Sequence, residues 1–353
     1  MSLPRLFSTG LIASALGFLP LAQAQTKAFN DTFTGASTIN ANPTSPATPT
    51  VTAASYQQLA AKNYSPNPPA ITPGNLRFGI VSTTSGFNHV QALFTQYPVT
   101  LVNVGNYIEL TVNFSTEGGI ITAQTNSTLF FGLHNAGQIQ PIPGGMPGTS
   151  NTAVAGFAQT WQGYVNRIFF TGGNNGFFTR PSQTAAGANN QDVLFQYASG
   201  STVGSTATST LAAFTAGNQY TEVFRITKAS ATTLTLSSSL YAGTTPTGTP
   251  LYTQTSTSSS ILTAVFDAFA IGWRATGSVA SIMNISAVKI TTTGTTTIVP
   301  EITTQPFSLT KAVGESVALT VVADGGVGTA LSYQWKKGVD DIPGATSDRK
   351  SVV

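Results

Sequence analysis

The chain has 353 residues, of which 41% are hydrophobic and only 8% are charged. This length has room for about two domains, and the scarcity of charge is typical of secreted β-proteins rather than of disordered or cytosolic helical chains. The net charge is +3. Three of the 15 basic residues (Arg5, Arg349 and Lys350) and one of the 12 acidic residues (Asp348) lie in the terminal segments. The rest of the chain has 12 basic and 11 acidic residues. This balance argues against nucleic acid or an anionic membrane surface as partner.

The first 24 residues have the features of a secretory signal peptide. Arg5 precedes the apolar run "LIASALGFLPLA", and Ala22-Gln23-Ala24 is a site that signal peptidase accepts. A transmembrane anchor needs about 20 apolar residues, and no segment of the visible chain reaches that length. We therefore expect cleavage after Ala24 and an extracytoplasmic location. The chain has no cysteine, which favours a bacterial exported protein because eukaryotic secreted sandwiches commonly carry disulfides.

After the leader, the Pro-, Thr- and Asn-rich segment "FNDTFTGASTINANPTSPATPT" favours an extended arm or a first edge strand. The segment "AASYQQLAAKN" at 53–63 suggests a short helical turn. From Leu76 to about Thr293 apolar residues recur with period two, which predicts strands. The apolar residues that three of these strands should place on one face are Ile108, Leu110, Val112, Phe114, Leu234, Leu236, Leu240, Phe269, Ile271 and Trp273.

The segment "RIFFTGGNNGFFTR" has β-prone flanks around Gly and Asn-Gly, which predicts a hairpin at 169–178. Many strands in one block without internal repeats predict two packed sheets or a barrel.

Three segments of this block resemble a known fold. "QYTEVFRITKASATTLTLSSSLYAG" followed by "FDAFAIGWRATGSVASIMNISAVKITTTG" resembles the last part of a concanavalin-A-like, laminin-G-like jelly-roll domain of bacterial secreted proteins, and "AFNDTFTG" resembles its first strand. The resemblance implies a domain over residues 25–293 in which the final strand runs back beside the first.

The segment "TTTGTTTIVP" suggests a linker, which we place at 294–300. The sequence from 301 to 347 resembles the first half of a bacterial immunoglobulin-like domain, with "YQWKKG" and "IPGAT" in that family's order. The resemblance implies that Trp335 occupies the buried position on strand C, and that Val321 lies where antibody domains place their first Cys. Such a domain needs about seven strands, and the resemblance covers only half of them.

The last six residues, "DRKSVV" at 348–353, depart from the immunoglobulin-like pattern. They correspond to the translation of a widely used sequencing adapter. We therefore expect that these residues are an artefact and that the true chain continues after Ser347. The sequence as a whole predicts an all-β protein with a two-sheet jelly-roll sandwich followed by an incomplete immunoglobulin-like β-sandwich.

The sequence gives weak indications of catalysis. Jelly-roll glycosidases use two facing carboxylates, and the acidic residues of the large domain are Asp31, Glu109, Glu117, Asp192, Glu222 and Asp267. None form a cluster of alternating acids on one strand. Glu109 and Glu222 lie on separate predicted strands and could meet across a sheet, but solvated positions on the outer face are the simpler expectation. His89 and His134 are too few for a zinc site, which needs three or four ligands, so we predict no metal and no cofactor.

Two irregular segments, 134–152 and 169–178, are the candidate ligand loops. In jelly-roll lectins, loops and the concave sheet offer aromatic rings and amides to sugars. The candidate ligand-binding residues are Trp161, Tyr164, Phe177, Asn135 and Arg180. The alternative is that the aromatic residues fill the core and the loops only connect strands.

These features favour an exported, nonenzymatic protein that binds polysaccharide or extracellular matrix and carries an immunoglobulin-like spacer. A glycoside hydrolase on a jelly-roll fold and a purely structural stalk remain alternatives. Two carboxylates about 5–10 Å apart in a cleft would favour the hydrolase. Aromatic rings with amides and no acid pair would favour binding, and a flat face covered with Thr would favour the stalk.

Overall fold

The computed structural model describes residues 25–34, 37–38, 56–62, 70–80, 86–95, 97–118, 127–137, 160–182, 193–194, 200–212, 214–275, 281–296, 301–307, 310, 312, 315–324 and 331–352. Within these residues the regular secondary structure is β-strand, and no α-helix is present. No helix there has the length and hydrophobicity that crossing a membrane requires. The predicted signal peptide at 1–24 and most of the predicted loop at 134–152 lie outside the described residues.

Nine strands of the described region, numbered along the chain, pair into an antiparallel sheet that we name the first sheet. They are β1 (Thr26–Asp31), β2 (Ser37–Thr38), β4 (Ala70–Thr72), β5 (Asn75–Ile80), β8 (Tyr107–Gly118), β13 (Gln219–Lys228), β14 (Leu234–Ala242), β15 (Tyr252–Thr257) and β18 (Ser281–Thr292). Their order is β15-β14-β13-β8-β18-β5-β4-β2, and β1 also pairs with β18.

Seven further strands of the described region pair into the second sheet. They are β3 (Gln57–Lys62), β6 (Gly86–Leu93), β9 (Thr128–Asn135), β10 (Gln162–Phe169), β11 (Thr171–Arg180), β12 (Thr202–Thr210) and β17 (Ala268–Ala275), in the order β12-β11-β10-β9-β17-β6-β3. A small sheet joins β16 (Val265–Phe266), β7 (Val99–Thr100) and β19 (Thr295–Thr296).

The hydrophobic core lies between the first and second sheets, and the predicted alternation is confirmed. Ile108, Leu110, Val112 and Phe114 are buried on one face of β8, and the apolar residues predicted on β14 and β17 are buried as well. Phe114 of the first sheet packs against Phe131 of the second, with ring centroids 6.4 Å apart. Side chains of a strand alternate between faces, so burying every second residue from each sheet builds the sandwich. The predicted all-β, two-sheet jelly-roll sandwich is therefore confirmed.

The first and last strands of the sandwich are neighbours, as the resemblance implied. β1 runs antiparallel to β18, with Thr26 opposite Thr292 and Asp31 opposite Val288. β18 also pairs along most of its length with β8, the central strand of the first sheet.

One local prediction is corrected by the structure. The segment at 57–62, expected in a helical turn, is β3 and pairs with β6, because edge pairing outweighs the helix propensity of "QQLAAK". The hairpin predicted around Gly and Asn-Gly is confirmed, since the last pair between β10 and β11 is Arg167 with Gly176 and residues 168–175 lie between them. Within this connection, Thr171, Asn174 and Asn175 also pair with β12.

The predicted linker begins later than its composition suggests. Thr295 and Thr296 pair with Thr100 and Val99 of β7, and Thr291 and Thr292 are buried. The strand-paired part of the sandwich therefore extends to Thr296.

Beyond residue 300, the strands of the described region form three separate pairs rather than two facing sheets. They are β20 (Glu301–Thr304) with β22 (Val322–Asp324), β21 (Val317–Thr320) with β25 (Arg349–Val352), and β23 (Lys336–Lys337) with β24 (Asp340–Asp341). Val321 is buried. Trp335, which the resemblance placed in a buried position, is only half-buried, and its indole N–H donates to the Ser347 carbonyl at 2.8 Å.

Candidate functional site

The outer face of the second sheet, which points away from the first sheet, carries the candidate site. Alternation along β6, β9, β10 and β17 sends every second side chain to this face. In register, the outer-face residues of these strands are Phe87, His89, Gln91 and Leu93 on β6; Arg274, Gly272, Ala270 and Ala268 on β17; Thr128, Phe130, Gly132 and His134 on β9; and Phe169, Arg167, Val165 and Gly163 on β10.

One part of this face, the covered patch, has a floor of small residues. Ala268, Ala270, Gly132 and Gly163 lie in neighbouring strand positions there. A Cβ at Gly132 would overlap the His134 ring and would come within 3.0 Å of Leu194 Cδ2. Glycine is therefore needed at this position so that His134 can lie across the sheet beneath Leu194.

Apolar residues seal the covered patch from solvent. They form a buried cluster of their own, separate from the main core, composed of Leu93, Phe130, Ala136, Trp161, Val165, Val193, Leu194, Ala268 and Ala270. Trp161 contacts His134, with ring centroids 6.1 Å apart. Polar side chains in this patch are consequently held without access to water.

His134 and Gln91 are the chemically unusual residues of the covered patch. Both are completely buried, and neither the ring nitrogens of His134 nor the side-chain amide of Gln91 has a hydrogen-bond partner among the described residues. Burial, followed by the charges of Arg180 and His89, lowers the pKa of His134 to about 3. His134 is therefore a neutral imidazole at any physiological pH, with one nitrogen able to donate and the other able to accept.

The other part of the outer face is accessible, and we name it the open row. Phe87, Arg274, Thr128 and Phe169 lie directly opposite one another on the neighbouring strands β6, β17, β9 and β10. Arg274 is exposed and the two phenylalanines at the ends of the row are half-buried, whereas Thr128 is buried. At about 4.8 Å per strand, the backbone positions of the two phenylalanines lie about 14 Å apart across the row.

Arg167 borders the open row and is held by aromatic rings. Its guanidinium carbon lies 3.9 Å from the ring centroid of Phe178 and 5.0 Å from that of Phe169. Such cation–π contacts fix the orientation of the planar cation. Arg167 is half-buried, so part of its surface faces solvent.

Four of the five candidate residues from the sequence lie inside the protein rather than at its surface. Trp161, Tyr164, Phe177 and Arg180 are completely buried. Phe177 stacks on Phe224 of the first sheet, with centroids 5.8 Å apart. The rings of Trp161, Tyr164 and Phe177 offer no face to a sugar, because they are completely buried. The alternative reading, in which the aromatic residues fill the core, is the one the structure supports.

Hydrogen bonds explain why the polar groups of these residues can be buried. The Tyr164 hydroxyl accepts from the Leu262 amide at 2.8 Å, and burial raises its pKa. Arg180 donates from its guanidinium to the Trp161 carbonyl. Asn135 is partly exposed, and its side-chain oxygen accepts from the Gly137 amide at 2.9 Å, which fixes a turn rather than offering the oxygen to a ligand.

The two acids that could have formed a catalytic pair are separated by the first sheet. Glu109 lies on its outer face, as expected, and forms an ion pair with Arg225 at 2.5 Å, but its side chain is only 13% exposed rather than freely solvated. Glu222 was expected in a similar position, but it is completely buried between the sheets. The two carboxylates therefore point to opposite faces and cannot act on one substrate.

Glu222 belongs to a buried polar network. Its Oε1 accepts from Asn166 Nδ2 at 2.9 Å and from Ser238 Oγ at 2.7 Å. Gln254 donates to Asn166 Oδ1 at 2.6 Å, and the Tyr252 hydroxyl donates to Gln254 Oε1 at 2.5 Å. Burial raises the pKa of Glu222 to about 8. A raised pKa suits a general acid, but a carboxyl without solvent access cannot reach a glycosidic bond.

A surface pocket of about 540 Å³ lies at the end of β13 and β14. Phe214 and Tyr220, whose rings stack with centroids 4.0 Å apart, form one wall. Asn218, Gln219 and the half-exposed Leu251 also line the pocket. The pocket is a second place where a small polar ligand could fit.

Metal ligands do not cluster in the part of the chain that the structure describes. His, Asp and Glu side chains form no group of three or more there that could hold a metal ion.

Reasoning from the sequence missed the residues of the open row. The sequence does contain a pattern that indicates Arg274: the alternation that places Phe269, Ile271 and Trp273 in the core also places Arg274 on the outer face.

Comparison with known proteins finds no matching protein family and no matching curated protein. Among solved structures, peanut lectin crystallised with a nine-residue peptide is 11% identical, with 78% of this chain and 100% of that chain covered and a TM-score of 0.38. Lectin II from Ulex europaeus is 12% identical, with 67% and 92% covered and a TM-score of 0.35. The legume lectin-like domain from Entamoeba histolytica is 9% identical, with 67% and 88% covered and a TM-score of 0.33. Likenesses of this degree assign neither a family nor a function to the chain.

Proposed function

We propose that this chain is an exported, nonenzymatic bacterial protein that binds a glycan across the open row of the second sheet, with the immunoglobulin-like segment as a spacer. The observation that carries the proposal is the open row itself. Two half-buried phenylalanine rings flank an exposed arginine and a buried threonine in register on four adjacent strands. Regular strands hold these groups more rigidly than a loop would.

The chemistry of the row suits a sugar chain. A phenylalanine ring offers an apolar face to the C–H groups of a sugar ring, while a guanidinium group donates to its hydroxyls. Phe87 and Phe169 lie at the two ends of the row, with Arg274 and Thr128 between them. An extended ligand would therefore meet an apolar, a polar and again an apolar surface along its length.

The positions of the acids support binding rather than hydrolysis. On the outer face of the second sheet, the described residues of β6, β9, β10 and β17 include no carboxylate. Glu109 and Glu222 lie on other faces, so the pair that a glycoside hydrolase needs does not form around the open row.

A purely structural stalk is supported less well. The surface covered with hydroxyl groups lies on the first sheet, where Thr235 and Thr257 are 3.2 Å apart and Ser239 and Thr253 are 3.3 Å apart across β14 and β15. The open row of the second sheet has aromatic and cationic groups instead. Aromatic and cationic groups favour ligand binding at the open row over a purely structural role.

The test is affinity electrophoresis of the whole chain through gels that contain soluble polysaccharides, with Phe169→Ala and Phe87→Ala as variants. Each substitution should weaken retention roughly fivefold, because loss of an aromatic stacking contact costs about 1 kcal/mol. Phe307→Ala is the matched control, since this phenylalanine is 81% exposed and lies outside the sandwich.

Leu251→Ala separates the open row from the surface pocket beside β13 and β14. Retention lost with Leu251→Ala and kept with Phe169→Ala would place the ligand in the pocket and contradict the proposed site. A wild-type chain that is retained by no polysaccharide would contradict the function itself.

A further inference from the structure

We propose that the surface pocket at the end of β13 and β14 is a second binding site, for a small uncharged molecule with an apolar ring and one amide or hydroxyl group. The pocket is separate from the open row. Its lining residues belong to β13, β14 and the segments beside them, whereas the open row lies on the outer face of the second sheet. The proposal therefore adds a site and does not depend on glycan binding.

The pocket has the size and the rigidity of a small-molecule site. Its volume of about 540 Å³ lies within the range of about 300–1,000 Å³ that is usual for such sites. Backbone hydrogen bonds hold its rim: the Gly243 amide donates to the Gln219 carbonyl at 2.8 Å, and the Leu251 amide donates to the Leu240 carbonyl at 2.7 Å. The pocket is therefore formed before a ligand arrives.

The aromatic wall of the pocket is anchored in the hydrophobic core. The ring of Tyr220 stacks on that of Phe214 with centroids 4.0 Å apart. Phe214 in turn contacts Phe170 at 4.9 Å and Phe114 of β8 at 5.7 Å between ring centroids. These contacts fix the wall in place and keep the pocket from closing on itself.

Leu251 is the apolar side chain that a ligand would cover. It is 48% exposed where it lines the pocket, and two further lining residues, Ala212 and Ala242, are exposed as well. A leucine in contact with water costs free energy that burial against an apolar ligand recovers. Apolar surface inside a concave site therefore favours a ligand with an apolar body.

The lining of the pocket offers no charge to balance an ion. Among the described residues that line it, none is acidic or basic. Its polar groups are the amides of Asn218 and Gln219 and the hydroxyl of Tyr220, which accepts from the Thr215 amide at 2.9 Å. An ionised ligand would lose water in the pocket without gaining a counter-charge, so the site favours an uncharged molecule.

Gln219 supplies the polar contact. Its side-chain oxygen is buried and has no hydrogen-bond donor among the described residues, which leaves an acceptor unsatisfied at a cost in stability. The residue as a whole is only partly buried, and the last torsion of a glutamine side chain rotates readily, so the amide can turn toward the pocket. A primary amide on the ligand would both donate to the Gln219 oxygen and accept from its nitrogen.

The experiment titrates the whole chain with four probes that share a phenyl ring, followed by ligand NMR at neutral pH. The probes are phenylacetamide, ethylbenzene, phenylacetate, which is an anion, and phenethylamine, which is a cation. We expect phenylacetamide to bind at least about tenfold more tightly than either charged probe, because a charge loses its hydration in the pocket. It should bind roughly fivefold more tightly than ethylbenzene, which lacks the hydrogen-bonding group.

Two variants place the probe in the pocket. Leu251→Ala should weaken phenylacetamide binding roughly fivefold, because it removes apolar contact area. Gln219→Leu should remove the preference for phenylacetamide over ethylbenzene. Val104→Ala is the matched control, since this valine is 66% exposed at the opposite end of β13, where the neighbouring Gly105 amide donates to the Lys228 carbonyl, and it should leave binding unchanged.

Several outcomes would overturn the proposal. They are no binding of any probe, equal affinity for phenylacetamide and phenylacetate, and equal losses with Leu251→Ala and Val104→Ala. The comparison of probes on the wild type does not depend on the folding of the variants. Polysaccharide retention should be the same with and without phenylacetamide, and retention lost in its presence would make the pocket part of the glycan site and overturn a separate one.

Discussion

Glu222 shows how a buried carboxyl can be tolerated in the core of a sandwich. Asn166 and Ser238 donate to one of its oxygens, but these contacts do not compensate for the loss of water, and burial raises its pKa to about 8. The carboxyl is therefore protonated in the folded state at pH 6, whereas an unfolded glutamate is ionised there.

This difference predicts that stability falls as pH rises. Between the unfolded pKa near 4.5 and the folded pKa near 8, the folded state holds a proton that the unfolded state has released, so the free energy of unfolding decreases with pH. Glu222→Gln removes the titrating group and keeps an oxygen that can accept from Asn166 and Ser238. In urea unfolding followed from pH 5 to 8, the variant should lose less stability than the wild type, by an amount on the order of a few kcal/mol.

Glu109→Gln is the control, because Glu109 lies on the outer face in an ion pair with Arg225, where such pairs contribute about 1 kcal/mol or less. If the stability of wild type and Glu222→Gln follows pH in parallel, the raised pKa of Glu222 is contradicted.

The position of Glu222 could have been predicted from the sequence. It shares its strand face with Phe224 and Ile226, and a residue in phase with two core residues points inward. Its partner Ser238 lies on the next strand, β14, but Asn166 could not have been predicted as a partner because it comes from β10 of the second sheet, 56 residues away. The same holds for the open row, which requires the register of four strands.

At the scale of the strands, β9 and β10 depend on a glycine. A Cβ at Gly163 would overlap the Leu133 carbonyl oxygen and approach His134 Nδ1 at 2.7 Å. Backbone cannot move aside as a flexible side chain can, so an added methyl there must shift the strands.

Gly163→Ala should therefore lower the free energy of unfolding by about 1–3 kcal/mol or more, the usual cost of overpacking. Gly176→Ala is the control on the next strand, where a Cβ would meet Thr206 Cγ2 at 3.0 Å and ring atoms of Phe178 beyond that, so that side chains can yield. Thermal unfolding followed by circular dichroism gives both values. A Gly163→Ala variant as stable as Gly176→Ala would show that the sheet is looser than the structure indicates.

Local alternation predicts most strand positions, and the local turn signal of Gly and Asn-Gly predicts the connection at 168–175, between the paired Arg167 and Gly176. The error lies at "QQLAAK", which has no alternation and a high helix propensity but becomes β3 because β6 offers an edge. Tertiary pairing, which no short segment encodes, decides the conformation there.

At the scale of the molecule, the end of the sandwich can be tested by truncation. Thr295 and Thr296 add a strand beside β7, and a Cβ at Gly294 would meet the Thr100 carbonyl oxygen at 2.8 Å, so this segment packs closely. A chain of residues 25–296 should unfold cooperatively. A chain of residues 25–293 should do so at a lower Tm, by roughly 2–8 °C, because it loses hydrogen bonds that contribute about 1 kcal/mol each.

A chain of residues 25–300 is the control and should match the one that ends at Thr296. Equal Tm values for the chains that end at 293 and 296 would instead support a linker that begins at 294, as the composition alone suggested.

The pairing of β1 with β18 also determines when the domain can fold. Thr26 at the start of the sandwich lies opposite Thr292 near its end, and β18 separates β8 from β5 at the middle of the first sheet. Contacts between such distant residues make folding slow, since a long loop must close before they form. During synthesis the chain lacks this central strand until nearly the whole domain has been made. For the export proposed above, this delay would keep the precursor unfolded while it crosses the membrane, and the first sheet would be completed only after β18 has crossed.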